Sequence, residues 1–150
     1  TQAARMIRDR QPDVMFVHFG GADVAGHASG WGSPEQLRVL EQIDRGIGVL
    51  KDALDQTRQA ASRLIIVTAD HGGSALLHPP EDPLSQRIPW IAVGPSVRKD
   101  FNLATVPGLA IDTMATFATA CAALGIRVPE PRDGRAVVEI FERPPVVVMR

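Results

Sequence analysis

The residues in this chain best suited to chemistry sit in two short words and one follower. Asp23-Val-Ala-Gly-His27 comes first, Thr68-Ala-Asp70-His71-Gly72-Gly73 second, and His78 follows closely. Carboxylate oxygen and neutral imidazole nitrogen are hard or borderline ligands, a combination that suits zinc and tolerates manganese or iron. Asp23 and His27 are four apart, which puts them on the same side of one helical turn or a tight loop. Asp70 and His71 are adjacent. Neighbours on a strand point to opposite faces, so both reach one site only where a strand ends and the backbone turns. Gly72 and Gly73 supply the freedom for that turn, and Gly26 lets the first word bend closely. Taken singly, each aspartate is equally well explained as a loop cap accepting from backbone amides. A lone loop histidine is more often a surface or packing residue. The joint arrangement is what points to a metal site formed by Asp23, His27, Asp70, His71 and His78.

These residues must be held by regular elements, and the apolar pattern supplies them. Val14-Met-Phe-Val-His-Phe19 is a continuous apolar run after Pro12, the signature of a strand covered on both faces. His18 inside that run reads as a hydrogen-bonded core residue rather than a ligand. Ser33-Pro34-Glu35 opens a long helix, with serine as N-cap, proline at the first helical position and an acid in the first turn. Leu37, Leu40, Ile43, Ile47, Leu50 and Leu54 then form one apolar stripe. Leu64–Thr68 and Pro89–Val93 read as two further strands. Another helix is expected from about Ala110 to Leu124, with Asp112 as N-cap and Gly125 as its stop. Strands alternating with helices imply an α/β fold, a parallel or mixed sheet with helices on both faces. Ligand sites in such sheets lie beyond the carboxyl ends of the strands, where both aspartate words fall. The ending, with Pro129, Pro131, Pro144 and Pro145, is irregular, and Val146–Met149 is expected to pair as a short edge strand or to fray. Trp31 and Trp90 read as packing residues, and Trp31, between Gly30 and Gly32, is also placed to line the mouth of the site.

Composition narrows the function classes. The 150 residues are 45% hydrophobic and 22% charged, ordinary for one globular domain. A formal net charge of -1 gives no electrostatic reason to propose nucleic acid or an anionic membrane as partner. No run approaches the ~18 apolar residues of a membrane helix. The first residues hold no apolar core of signal-peptide type. A single cysteine, Cys121, excludes an intrachain disulfide and reads as a buried, inert thiol in a helix. The chain begins on Thr rather than Met, in what reads as mid-helix, and is expected to be a piece of a longer protein.

The two words, their order and the sequence around them resemble the alkaline phosphatase superfamily, in particular its type I phosphodiesterase/nucleotide pyrophosphatase branch. Gly26-His27 followed by Gly30-Trp31-Gly32-Ser33 carries the resemblance, as does Thr68-Ala-Asp70-His71-Gly72. Ile88-Pro89-Trp90 leading to Gly94-Pro95, and Asp133-Gly134-Arg135, also match. The resemblance runs from about Pro12 to Phe141 and implies the C-terminal portion of a single metallohydrolase catalytic domain with an incomplete alkaline-phosphatase-like core. It implies two zinc ions, with manganese an acceptable substitute. One is held by Asp23, His27 and His78, the other by Asp70 and His71 together with an N-terminal aspartate and a serine or threonine nucleophile. None of the serines or threonines here falls in the matching motif, so the nucleophile is expected outside this chain. His78 is followed by Pro79 and Pro80 where the family usually has glycine, a stiffer loop with fewer amide donors.

The implied chemistry is two-metal phosphoryl transfer on a small phosphate ester, and residues 1–150 alone are expected to be inactive. Phosphomonoesterases, phosphonate hydrolases and metal-dependent phospho-sugar mutases share the same ligand words. Sulfatases, usually centred on one calcium, fit a mixed Asp/His set less well. From other classes, the same residues suit a non-catalytic, metal-binding remnant, or a metal-free domain whose acids and histidines serve its loops.

Overall fold

The computed structural model describes residues 1–128 and 133–143, and the Pro129, Pro131 and Val146–Met149 expectations lie outside them. The chain forms two compact units. The first comprises Thr1–Arg63 and His71–Ile88; the second comprises Leu64–Asp70 and the described part of Pro89–Arg150.

The first unit is helical. Helix α1 (Gln2–Arg10) follows Thr1, whose hydroxyl accepts from the Ala4 amide at 3.2 Å. Helix α2 spans Gly21–Ser29 and α3 spans Pro34–Asp55. The start of α3 is the one the sequence predicts: Ser33 Oγ accepts from the Gln36 amide at 3.2 Å, and Pro34 opens the first turn. One end of the apolar stripe does the packing. Leu50, Ala53 and Leu54 close over Ala4, Ile7 and Met15, which forms the core of this unit. Leu37 and Leu40, at the other end, remain exposed.

The second unit contains strands β1 (Ile65–Thr68) and β2 (Trp90–Val93), paired antiparallel from Ile65 opposite Val93 to Thr68 opposite Trp90. Trp90 and Ala92 turn to the core while Ile91 and Val93 are exposed, the two-residue period of a strand covered on one face. That core is Val97, Ala115, Val137, Ile140 and Phe141 with Leu64, Leu103, Leu109 and Ile111 packed against it. Helix α4 (Thr113–Ala123) begins at Asp112, whose Oδ1 accepts from the Ala115 amide at 2.9 Å. Gly125, at φ +67°, follows its end as expected. Cys121 is buried and free. Thr119, fully buried, is satisfied twice: its hydroxyl donates to Ala115 O at 2.7 Å and accepts from the Val137 amide at 2.9 Å.

Mixed helix and strand agrees with the α/β reading, and the sheet present among the described residues is a two-stranded antiparallel pair. The first expected strand is a correction. Val14–Phe19 is not a strand, and its backbone makes no hydrogen bond among the described residues. Phe16 is 88% exposed and Val14 64%, so the run is not covered on both faces either. Apolar composition favours an extended chain, but a strand exists only where a neighbour completes its ladder. His18, on this run, is exposed rather than a core residue. Among the described residues no helix is long and apolar enough to cross a membrane.

In the second unit Arg135 grips Glu139 with both terminal nitrogens, at 3.1 and 2.8 Å, and this hydrogen bonding holds the Glu139 carboxyl below its ordinary range. A depressed carboxyl contributes stability above its unfolded pKa and loses it as pH falls through the folded one. The pair is partly exposed, so its worth is about 0.5 kcal/mol. Glu139→Gln is therefore expected to lose about that much in urea unfolding at neutral pH. Once wild-type Glu139 is protonated, the two proteins should be equally stable; a difference that persists in acid refutes the assignment.

Candidate metal centre

All the geometry of the cluster lies within the first unit. Helix α2 carries Asp23 and His27 one turn apart, with His27 Nε2 3.5 Å from Asp23 Oδ1. The helix ends at Gly30, and the chain passes through Trp31 and Gly32 into α3, with both glycines on the left-handed side at φ +100° and +78°. Gln36 fixes this corner. Its side chain is buried, its Oε1 accepts from the Gly32 amide at 2.6 Å, and its Nε2 donates to Ala22 O at 3.0 Å. One amide group thus ties the turn after α2 to the first turn of α2 itself.

The segment His71–Ile88 delivers the other two histidines. Gly72 donates to Ser85 O at 2.7 Å, and a Cβ there would meet Leu84 O at 2.2 Å, so the close backbone crossing needs glycine. Ser74 and Leu77 exchange backbone bonds around a tight turn, with Ala75 at φ +47°. The turn is pinned to α2 and its sequel: the Trp31 amide donates to Ala75 O and the His27 ring bonds Leu76 O, both at 2.8 Å. Asp82 stitches the segment to itself, accepting from the Ser74 hydroxyl and from the Leu84 amide. Those two donors hold its carboxyl below the usual range, the serine contributing most. The prolines after His78 give up donors, but their carbonyls are used: Asp82 N donates to Pro79 O and Gln86 Nε2 to Pro80 O.

Together these restraints bring Asp23, His71 and His78 into one group whose ligand atoms all lie within 4.8 Å of one another. His71 Nε2 is 3.8 Å from Asp23 Oδ1, and the His71 and His78 rings stack at 3.9 Å. His27 borders the group, its ring centroid 5.0 Å from that of His78. Asp70, two residues past the end of β1, is exposed and belongs to the second unit. Trp31 lines the cluster, as one of its two sequence readings has it, and Trp90 packs, its indole donating to Thr116 Oγ1 at 3.0 Å.

The hydrogen bonds decide which nitrogens face the centre. His27 Nδ1 lies on Leu76 O and His71 Nδ1 on Gly72 O, each at 2.8 Å. A carbonyl only accepts, so Nδ1 carries a proton, and in a neutral ring Nε2 is then the nitrogen with an available lone pair. Both Nε2 atoms face Asp23 Oδ1, which is shielded from water and accepts no hydrogen bond. With the rings neutral, the two nitrogens and the carboxylate oxygen together offer donor atoms to a cation. Carbonyl-oriented imidazoles are also the usual outer arrangement of metal-ligating histidine. The donor set therefore fits a divalent transition metal such as zinc. His27 and Asp23 are 41% and 47% exposed, so the centre opens to solvent on one side.

Gln36 is the functional residue that the ligand motifs miss. Ser33-Pro-Glu-Gln36 has the form of a capping box, in which the fourth residue returns to the N-cap amide. Here it returns one residue earlier, to Gly32. Nothing in the sequence marks Ser74 with Asp82.

A family model described as type I phosphodiesterase / nucleotide pyrophosphatase matches residues 1–104. The chain is 33% identical over 60 residues to human ectonucleotide pyrophosphatase/phosphodiesterase family member 7, covering 40% of this chain and 13% of that protein. GPI ethanolamine phosphate transferase 3 of Schizosaccharomyces pombe is 38% identical over 66 residues, covering 44% and 7%. The 2,3-bisphosphoglycerate-independent phosphoglycerate mutase of Paracoccus denitrificans is 32% identical over 69 residues, covering 46% and 12%. The chain thus aligns with a small part of each of these relatives. No solved structure gives a significant match.

Gln36→Leu removes the bonds to the Gly32 amide and the Ala22 carbonyl, an expected cost of about 2 kcal/mol. Urea unfolding measures it, and a loss below about 0.5 kcal/mol would show that the clamp is not needed.

Proposed function

The chain belongs to the type I phosphodiesterase / nucleotide pyrophosphatase family, and on that premise we propose that it carries the metal-binding part of a two-zinc hydrolase of phosphodiester or pyrophosphate bonds in small phosphate esters. Asp23, His27 and His78 are assigned to one ion. Asp70 and His71 are assigned to the other, with the nucleophile outside this chain. The observation that supports the reading most is the shielded Asp23 Oδ1, without a hydrogen-bond partner among the described residues and facing two imidazole Nε2 atoms. When bound, a pair of divalent ions neutralises phosphoryl oxygens and activates the attacking oxygen. Asp23 contributes the negative charge that holds a cation there. Leu76 O and Gly72 O keep the His27 and His71 rings turned with Nε2 inward. The open side of the cluster is where a phosphate ester would approach.

A second reading, a metal-binding module without catalysis of its own, is favoured by one observation: Asp23, His71 and His78 converge within a single unit, enough for one ion. Metal stoichiometry separates the two, two ions per chain supporting the first reading and one the second.

Two outcomes test the metal reading and the placement of the nucleophile. Chelation should lower thermal stability, since an ion at one hundred times its Kd contributes about 2.7 kcal/mol by mass action; an unchanged melting curve would leave the acids and histidines as loop residues. Residues 1–150 with zinc should show no hydrolysis of a bis-aryl phosphate. Clear turnover that His71→Ala abolishes would place the nucleophile inside this chain.

A further inference from the structure

Trp31 is in ring contact with His27, His71 and His78. Its ring stands edge-on to His27 at 5.0 Å and 87°, and to His78 at 5.8 Å and 65°; His71 lies tilted at 6.5 Å. The indole fits because two positions around it have no side chain. A Cβ on Gly73 would lie 2.3 Å from Trp31 Cε2, and one on Gly26 would lie 2.9 Å from the same atom. Gly26 belongs to the first metal word and Gly73 to the second, so each word donates half of the seat. The backbone is as constrained as the ring. Trp31 sits between Gly30 and Gly32, both at positive φ, with Gly32 held by Gln36 and the Trp31 amide held by Ala75 O.

The chemistry of an indole suits such a place. It has no lone pair to compete for a cation, its N–H only donates, and its rigid bulk restricts ring rotation next to it. Leu76 O and Gly72 O fix the Nδ1 atoms of His27 and His71, but His78 has no such bond among the described residues. Its orientation is set by stacking on His71 and by the edge of Trp31.

We infer that Trp31 is a positioning residue that holds the three imidazoles in ligating orientation, so that its loss appears in metal affinity rather than in folding. The inference rests on the metal reading of the cluster and adds to it the residue that preorganises the donors. Two tryptophans are present, so Trp90→Phe leaves Trp31 as the sole indole emitter.

In that background, cobalt(II) should quench the emission in step with metal binding. Zinc affinity, measured by competition with a chromophoric chelator, should fall about tenfold in Trp31→Leu, the scale of outer-shell losses at metal sites. Trp31→Phe, which keeps an aromatic edge, should recover most of it. Gly73→Ala, which drives a methyl into the indole, should weaken zinc comparably while Trp31 remains present. Equal zinc affinity in wild type, Trp31→Leu and Gly73→Ala overturns the inference and leaves the metal site standing. So does unquenched Trp31 emission in a chain that binds cobalt. Absence of zinc or cobalt binding by the wild type overturns the metal reading itself, and Trp31 with it.

Discussion

A carboxylate oxygen withdrawn from water and faced by two imidazole nitrogens is the constraint around which the first unit is arranged. Asp23 Oδ1 has no hydrogen-bond partner among the described residues, and the Nε2 atoms of His27 and His71 are turned toward it at 3.5 and 3.8 Å. They are turned that way by backbone carbonyls in a different segment, Leu76 O and Gly72 O. Charged rings would offer Nε2–H to the acid, and neutral ones would leave Nε2 free to share a cation with it.

Holding that arrangement falls to polar side chains that touch no ligand atom. Gln36 keeps the corner after α2 in place, and Asp82 with Ser74 keeps the His71–Ile88 segment folded on itself. The second unit uses the same device, with Thr119 bridging α4 and the Val137 amide inside an otherwise apolar core. In each case a single side chain satisfies two backbone or side-chain groups from separate turns. This specifies one geometry where hydrophobic packing alone would accept several.

How much of this is legible in sequence follows from the range of each interaction. Helix starts at Ser33 and Asp112 are local events, and both are read correctly from the residues that make them. The Asp-x-x-x-His spacing is local too, and α2 realises it. What the sequence hides is partnership across distance. Val14–Phe19 has the composition of a strand, but composition does not say whether a neighbour will be there, and a core position for His18 depends on that neighbour. The pairing of Ser74 with Asp82, and the return of Gln36 to Gly32 rather than to its own N-cap, depend on turns whose shape no spacing rule encodes. The antiparallel sense of β1 and β2 belongs to the same class.

The extended run from Val14 to Phe19 has a colloidal side. Six residues without a formal charge or a proline, rich in aromatic and β-branched side chains and with no backbone hydrogen bond among the described residues, make a template for another polypeptide to add to. Asp13 guards one end, while Gly20 and Gly21 at the other offer no charge. In concentrated solution this is the stretch where chains of this sequence would first recruit one another. A lysine in place of the outward-facing Phe16 is the change that would keep them apart.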